Sequence, residues 1–117
     1  VFRIEIEDTA KAFSTLTGKE MPTYFRPPRG EFSEKSLDMT QKLGYHTIFW
    51  SFAYEDWLTD KQPAPDEALR KILDNTHNGE IMLLHAVSST NAAILEQAIK
   101  EIRKQGYHFA PLSSLPS

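Results

Sequence analysis

The stretch that decides the reading is Tyr24-Phe25-Arg26-Pro27-Pro28-Arg29-Gly30. Two aromatics suggest the end of a buried strand. An arginine then stands at its mouth, held by two prolines with fixed φ and no N–H to donate. Gly30 closes the stretch and permits a backbone angle most residues avoid. A helix pattern is under way within nine residues, so the stretch reads as a βα loop, the place where α/β folds carry their sites. The plainer alternative is an ordinary strand-to-helix turn whose arginine pairs with a surface carboxylate.

The elements around it alternate. Residues 3–16 place Ile4, Ile6, Ala10, Phe13 and Leu16 at helical spacing, with a stop near Thr17-Gly18. Tyr24-Phe25 is a short strand. Phe32 to Leu43 forms the next helix, with Ser33 as N-cap, Leu37, Met39 or Thr40, and Leu43 inward, and Gly44 at its end. Tyr45 to Phe52 is β-branched and aromatic, as expected of a strand covered on both faces. A loop from Tyr54 to Pro65 leads to a helix capped by Asp66, with Ala68, Leu69, Ile72 and Leu73 buried and Asn78-Gly79 after it. Glu80 to His85 is the third strand. Ser88 to Thr90 caps a helix whose core face holds Ala92, Ile94 or Leu95, Ala98, Ile99 and Ile102. Tyr107 to Ala110 is a short final strand before a polar tail. Helix–strand alternation at roughly 30-residue spacing means parallel βαβ units. Four such units make a small open α/β sheet or half of a (β/α) barrel, whose exposed edges need the other half.

Composition narrows the function. The 117 residues allow one domain with a modest core. A net charge of −3 with no basic run argues against nucleic-acid binding. No apolar stretch reaches membrane-spanning length. The absence of cysteine excludes disulfides and thiolate metal sites. Val1 is not an initiator methionine and no signal peptide is visible, so the chain reads as a piece of something longer.

Each apolar strand runs into polar chemistry at the same end. Arg26 follows the first, Asp56 and Trp57 the second, and His85 ends the third. Parallel strands bring such groups together. His85 could move a proton near neutral pH, Asp56 could orient or charge-tune its imidazole, and Arg26 could hold a carboxylate. Trp57 offers a flat wall of the sort sugars stack on. Taken singly, each has a plainer role: His85 a hydrogen-bonded core histidine, Asp56 a turn residue, Trp57 core packing. His46, His77 and His108 lack partners at metal-ligand spacing, and Glu5 to Asp8 read as a solvated helix face.

These residues carry a resemblance. Arg26-Pro27-Pro28-Arg29-Gly30, Glu55-Asp56-Trp57 and Leu83-Leu84-His85 resemble, in order and spacing, the last three motifs of the polysaccharide deacetylases, the NodB-homology domains of carbohydrate esterase family 4. The doubled proline, and Leu84-His85-Ala86-Val87-Ser88 followed by Asn91-Ala92, resemble the delta-lactam-biosynthetic de-N-acetylases, which act on N-acetylmuramic acid of spore-cortex peptidoglycan. The resemblance runs from about Phe13 to Leu115.

The resemblance implies that residues 1–117 are the C-terminal part of a distorted (β/α)7 barrel. It implies a divalent metal, usually zinc, that polarises the acetamide carbonyl and activates water, an aspartate base and a histidine acid. His85 would then be the general acid, Arg26 would orient the base aspartate, and Asp56 would tune His85. Trp57, with Arg29, Tyr54 and Leu83, would line the substrate. The family's aspartate pair and its i, i+4 histidine pair are absent from this sequence, and Glu55-Asp56-Trp57 keeps only the end of its motif. The base and metal ligands are therefore expected in an N-terminal half, as a separate chain or as missing residues. Alone, such a half barrel is expected to expose apolar edges and aggregate.

The expected substrate is peptidoglycan, with a chitin- or xylan-type polysaccharide as runner-up, and a cortex role implies a place outside the cytoplasmic membrane. Two further readings compete: a non-catalytic glycan-binding module built on Arg26 and Trp57, and a self-standing four-unit α/β scaffold.

Overall fold

The computed structural model describes residues 2–115 and divides them into two compact units, one up to Phe49 and one from Trp50 onward. In the first unit, helix α1 (Phe2–Thr17) is followed by strand β1 (Tyr24–Phe25), helix α2 (Glu34–Lys42) and strand β2 (His46–Thr47). The strands pair in parallel, Tyr24 opposite His46 and Phe25 opposite Thr47. Between β1 and α2 the chain makes a single 3-10 turn, Pro28–Gly30. Ser33 caps α2 as expected: its hydroxyl accepts from Ser36 N–H at 3.0 Å, and the Ser36 hydroxyl accepts from Ser33 N–H at 2.9 Å.

The second unit is built on helices α3 (Pro65–Asp74) and α4 (Ser89–Lys104), which pack against each other. Its core is Phe52, Tyr54, Ala68, Ile72, Ile94, Ala98 and Ile102, with Leu69, Leu73, Met82, Leu84 and Tyr107 against it. Ala68 and Ile72, four residues apart on α3, are completely buried. Ser88 caps α4 by accepting from Asn91 N–H at 3.0 Å.

The alternation of helices with extended, parallel-paired segments is present, but the strands are shorter than their apolar runs suggest. Of Tyr45 to Phe52, only His46–Thr47 forms regular ladder; Phe52 meets Met82 in an isolated parallel bridge, which is all that forms, among the described residues, of the expected strand over Glu80 to His85. The chain bends at Ser51, and the Ser51 hydroxyl takes the Ile81 N–H at 3.1 Å where a longer ladder would use a carbonyl. Tyr107 to Ala110 forms no strand among the described residues. It is tied down by side chains instead: the Tyr107 hydroxyl reaches Thr76 O at 3.4 Å, and the Arg103 guanidinium lies 5.7 Å from the centre of the Phe109 ring.

Three finer expectations also change. Helix α3 is capped by Ala64, not Asp66. Pro65 opens the helix, and proline forces the residue before it into the extended conformation Ala64 shows. On α1 only Ile6 is buried, and Leu16 is 86% exposed. On α4 Ile94, not Leu95, faces the core, and Ala92 is exposed.

Candidate active site

The Arg26–Gly30 turn belongs to the first unit. Pro27 is buried and extended, and Pro28 opens the 3-10 turn, closed by Gly30 N–H to Pro27 O at 3.0 Å and Glu31 N–H to Pro28 O at 3.1 Å. Arg29 has φ +57° and Gly30 φ +71°. The glycine takes that angle freely; the arginine is the only non-glycine among the described residues with positive φ. Arg26 is exposed and enters no ion pair among the described residues. Beside the turn an apolar recess is lined by Phe2, Phe25, Pro27, Pro28, Phe32 and Leu37.

In the second unit two sequence-distant groups meet. Asp56 follows the Phe52 bridge and is completely buried. Its Oδ1 lies 2.7 Å from His85 Nδ1, and its Oδ2 accepts from His85 N–H, also at 2.7 Å. A carboxylate can only accept, so Nδ1 carries the proton of this bond. That leaves Nε2 as the free ring position, on a side chain that is 33% exposed. The Trp57 ring stands edge-on to the imidazole, centroids 5.8 Å apart, and remains 47% exposed. Trp57 is thus a wall beside His85 and not a core residue.

The sequence reading missed what holds Asp56. Asn91, buried at the start of α4, donates from Nδ2 to Asp56 Oδ2 at 2.6 Å and to His85 O at 3.2 Å. Its Oδ1 accepts from the Tyr54 hydroxyl. Gln62 donates to Asp56 O at 2.8 Å and to Leu58 O at 3.0 Å, while its Oε1 accepts from the Ser88 hydroxyl at 2.6 Å and Thr90 N–H at 3.1 Å. Gln62 therefore ties the loop that carries Asp56 and Trp57 to the start of α4. In the sequence Asn91 belongs to a motif, and nothing local marks it as a partner of a residue 35 positions away.

Tyr54, expected against the substrate, is buried, and its hydroxyl is used internally on Asn91. Burial, and then the nearby Asp56 carboxylate, push its phenol above the ordinary range. Leu83 is half-buried and donates its N–H to Phe52 O at 3.0 Å. Away from this site, His77 Nε2 lies 2.9 Å from the Ser51 hydroxyl and His77 Nδ1 lies 2.7 Å from Asn75 O, while His46 and His108 are exposed. Among the described residues no three His, Asp or Glu side chains lie close enough to hold a metal ion.

The arrangement can do one thing well. A buried carboxylate fixes the tautomer of an imidazole that is one-third exposed, beside an exposed indole. It can give or take a proton at a defined place next to a flat apolar surface.

The chain as a whole is similar to proteins of known kind. The polysaccharide deacetylase family model matches residues 1–48. An uncharacterised 30.6 kDa protein of Geobacillus stearothermophilus is 43% identical over 95% of this chain and 42% of its own length. The peptidoglycan-N-acetylmuramic acid deacetylase PdaA of Bacillus subtilis is 41% identical over 95% of this chain and 42% of its own length. The solved structure of B. subtilis PdaA, described as a family 4 carbohydrate esterase, superimposes with a TM-score of 0.92 over 97% of this chain and 48% of that one. The chain thus spans less than half the length of the relatives it matches. In sequence and in fold, the chain is similar to part of the polysaccharide deacetylases of carbohydrate esterase family 4.

Proposed function

We propose that this chain supplies the proton-donating side of a peptidoglycan deacetylase site, acting on N-acetylmuramic acid. The observation that carries the reading is the Asp56–His85 pair: a 2.7 Å bond engages Nδ1, on a partly exposed ring beside Trp57, and leaves Nε2 for chemistry. Similarity to a muramic acid deacetylase over 95% of the chain supports the sugar. Amide hydrolysis of an N-acetyl group needs a proton delivered to the departing amine nitrogen, since an amide anion is too basic to leave. Protonated His85 would deliver it from Nε2. Asp56 would hold the ring in place during the transfer, and Trp57 would exclude water and pack on the sugar face. Arg26 would orient an aspartate base, and Arg29 and Leu83 would contact the substrate.

The base and the ligands of a divalent metal, zinc in this reading, would come from the N-terminal half of the same domain, with residues 1–117 as its C-terminal part. The metal would polarise the acetamide carbonyl. Delta-lactam synthesis in the spore cortex, outside the cytoplasmic membrane, is the setting that fits this sugar.

The test is acetate release from muramic-acid glycan strands by the chain joined with the N-terminal half of a family 4 domain, with and without zinc. Zinc-dependent acetate release that is lost in His85→Gln is expected. Full activity in His85→Gln would remove His85 from the reaction, and acetate from chitin oligomers but not from muramic glycan would replace the substrate.

A further inference from the structure

We propose that Asn91 is the positioning residue of the His85–Asp56 pair, acting through the carboxylate and not on the substrate; this rests on the proton-transfer reading of His85. Asp56 is sealed from solvent, so its direction is set by its hydrogen bonds alone. Two come from His85 itself, through Nδ1 and through the main-chain N–H. The third, and the only one from a side chain other than His85 among the described residues, comes from Asn91 Nδ2 at 2.6 Å.

The surroundings fix which way the Asn91 amide points. On one side it meets two acceptors, Asp56 Oδ2 and His85 O, so the NH2 must lie there. On the other side its oxygen takes the Tyr54 hydroxyl proton. The donors run in one direction, from Tyr54 to Asn91 to Asp56, and meet His85's donation at the carboxylate. Such a chain presents Oδ1 to the imidazole as an acceptor and resists rotation of the carboxylate. Asn91 is itself anchored: its N–H bonds the Ser88 cap, and the Ser88 hydroxyl bonds Gln62, which also holds the main chain of Asp56. The start of α4 and the Asp56 loop are therefore tied together.

The test uses the full chain with 15N-labelled histidine. In the neutral ring His85 should carry its proton on Nδ1 and not on Nε2. Asn91→Leu, similar in size without the donor, should lose part of that Nδ1–H population. Asn91→Asp keeps the shape and an acceptor for Tyr54 but turns a like charge on Asp56. It should lose the same population in the neutral ring, since a second carboxylate cannot donate to Asp56 Oδ2. This second variant decides the matter if the leucine variant does not fold. In the deacetylation assay kcat should fall about 10- to 100-fold with KM nearly unchanged, the size typical of losing a group that orients a reacting one. Tyr54→Phe, which shortens the chain of donors but spares Asn91, should change both readouts less. An unaltered His85 tautomer in both Asn91 variants overturns the inference. Tautomer loss without any deacetylation in the wild type would leave Asn91's role standing and refute the deacetylase reading instead.

Discussion

The two units hold their polar groups in opposite ways. Around Arg26 the backbone does the work: Pro27 and Pro28 fix φ, Arg29 and Gly30 take positive φ, and the arginine side chains enter no ion pair among the described residues. Around His85 side chains do the work, with Asp56, Asn91, Tyr54, Gln62 and Ser88 bonded in one connected set. A turn written in dihedral angles tolerates loss of a side chain. A carboxylate buried without solvent does not, because each lost partner leaves another polar group unpaired.

The sharpest break of this contrast is Asp56→Ala. It orphans His85 N–H and Nδ1 together and leaves Asn91 Nδ2 only the longer bond to His85 O, and should cost about 4 kcal/mol in urea unfolding besides activity. A loss below about 1 kcal/mol would mean the network is not what holds the second unit's site. Next comes Ile72→Ala, which empties a completely buried position between α3 and α4 and should cost about 3 kcal/mol. It should lower stability while leaving the pH dependence of the reaction in place, separating packing from chemistry.

On the other side, Arg29→Gly should stabilise by about 0.5–1 kcal/mol, since glycine takes φ +57° without the steric cost an arginine bears. If activity falls at the same time, the strained arginine is kept for what its side chain touches. Equal stability would show that the turn carries no strain.

The smallest effect is expected at Glu80, whose Oε2 is buried without a hydrogen bond. Burial raises its carboxyl above the ordinary value of 4.5, with His77 acting the other way. The folded state then holds the proton more tightly than the unfolded chain. Its contribution to stability is full below the ordinary carboxylate range and is lost as pH rises through the raised value. Glu80→Gln should flatten that decline, measured as unfolding midpoints from acid to neutral pH. An unchanged slope would mean the carboxyl is solvated in both states.

The same contrast decides what could be read in the sequence. Features set by neighbours in the chain were legible: the Ser33 and Ser88 caps, the proline-stiffened turn, the α3 stripe of Ala68 and Ile72, and the family motifs around Asp56 and His85. Features set across long separations were not. Strand lengths failed because Ser51's hydroxyl replaces a ladder partner, an event local propensity does not record. Asn91 and Gln62 were passed over because their bonds span 35 and 26 residues, and an amide carries no charge pattern to announce its partner. Tyr54 was placed at the substrate from its position beside the motif, yet its burial is fixed by the core around Phe52 and Ile94.

The measurement that bears most directly on the central claim is the pH–rate profile of acetate release from muramic-acid glycan, comparing wild type with His85→Gln in the completed domain. A proton donated from His85 Nε2 requires the wild-type rate to fall on the alkaline side as the imidazole loses its proton. The glutamine variant should be slower by about 100-fold or more, with that alkaline limb gone. A variant that keeps both the rate and the limb would contradict the assignment of His85 as the proton donor, and with it the function proposed for this chain.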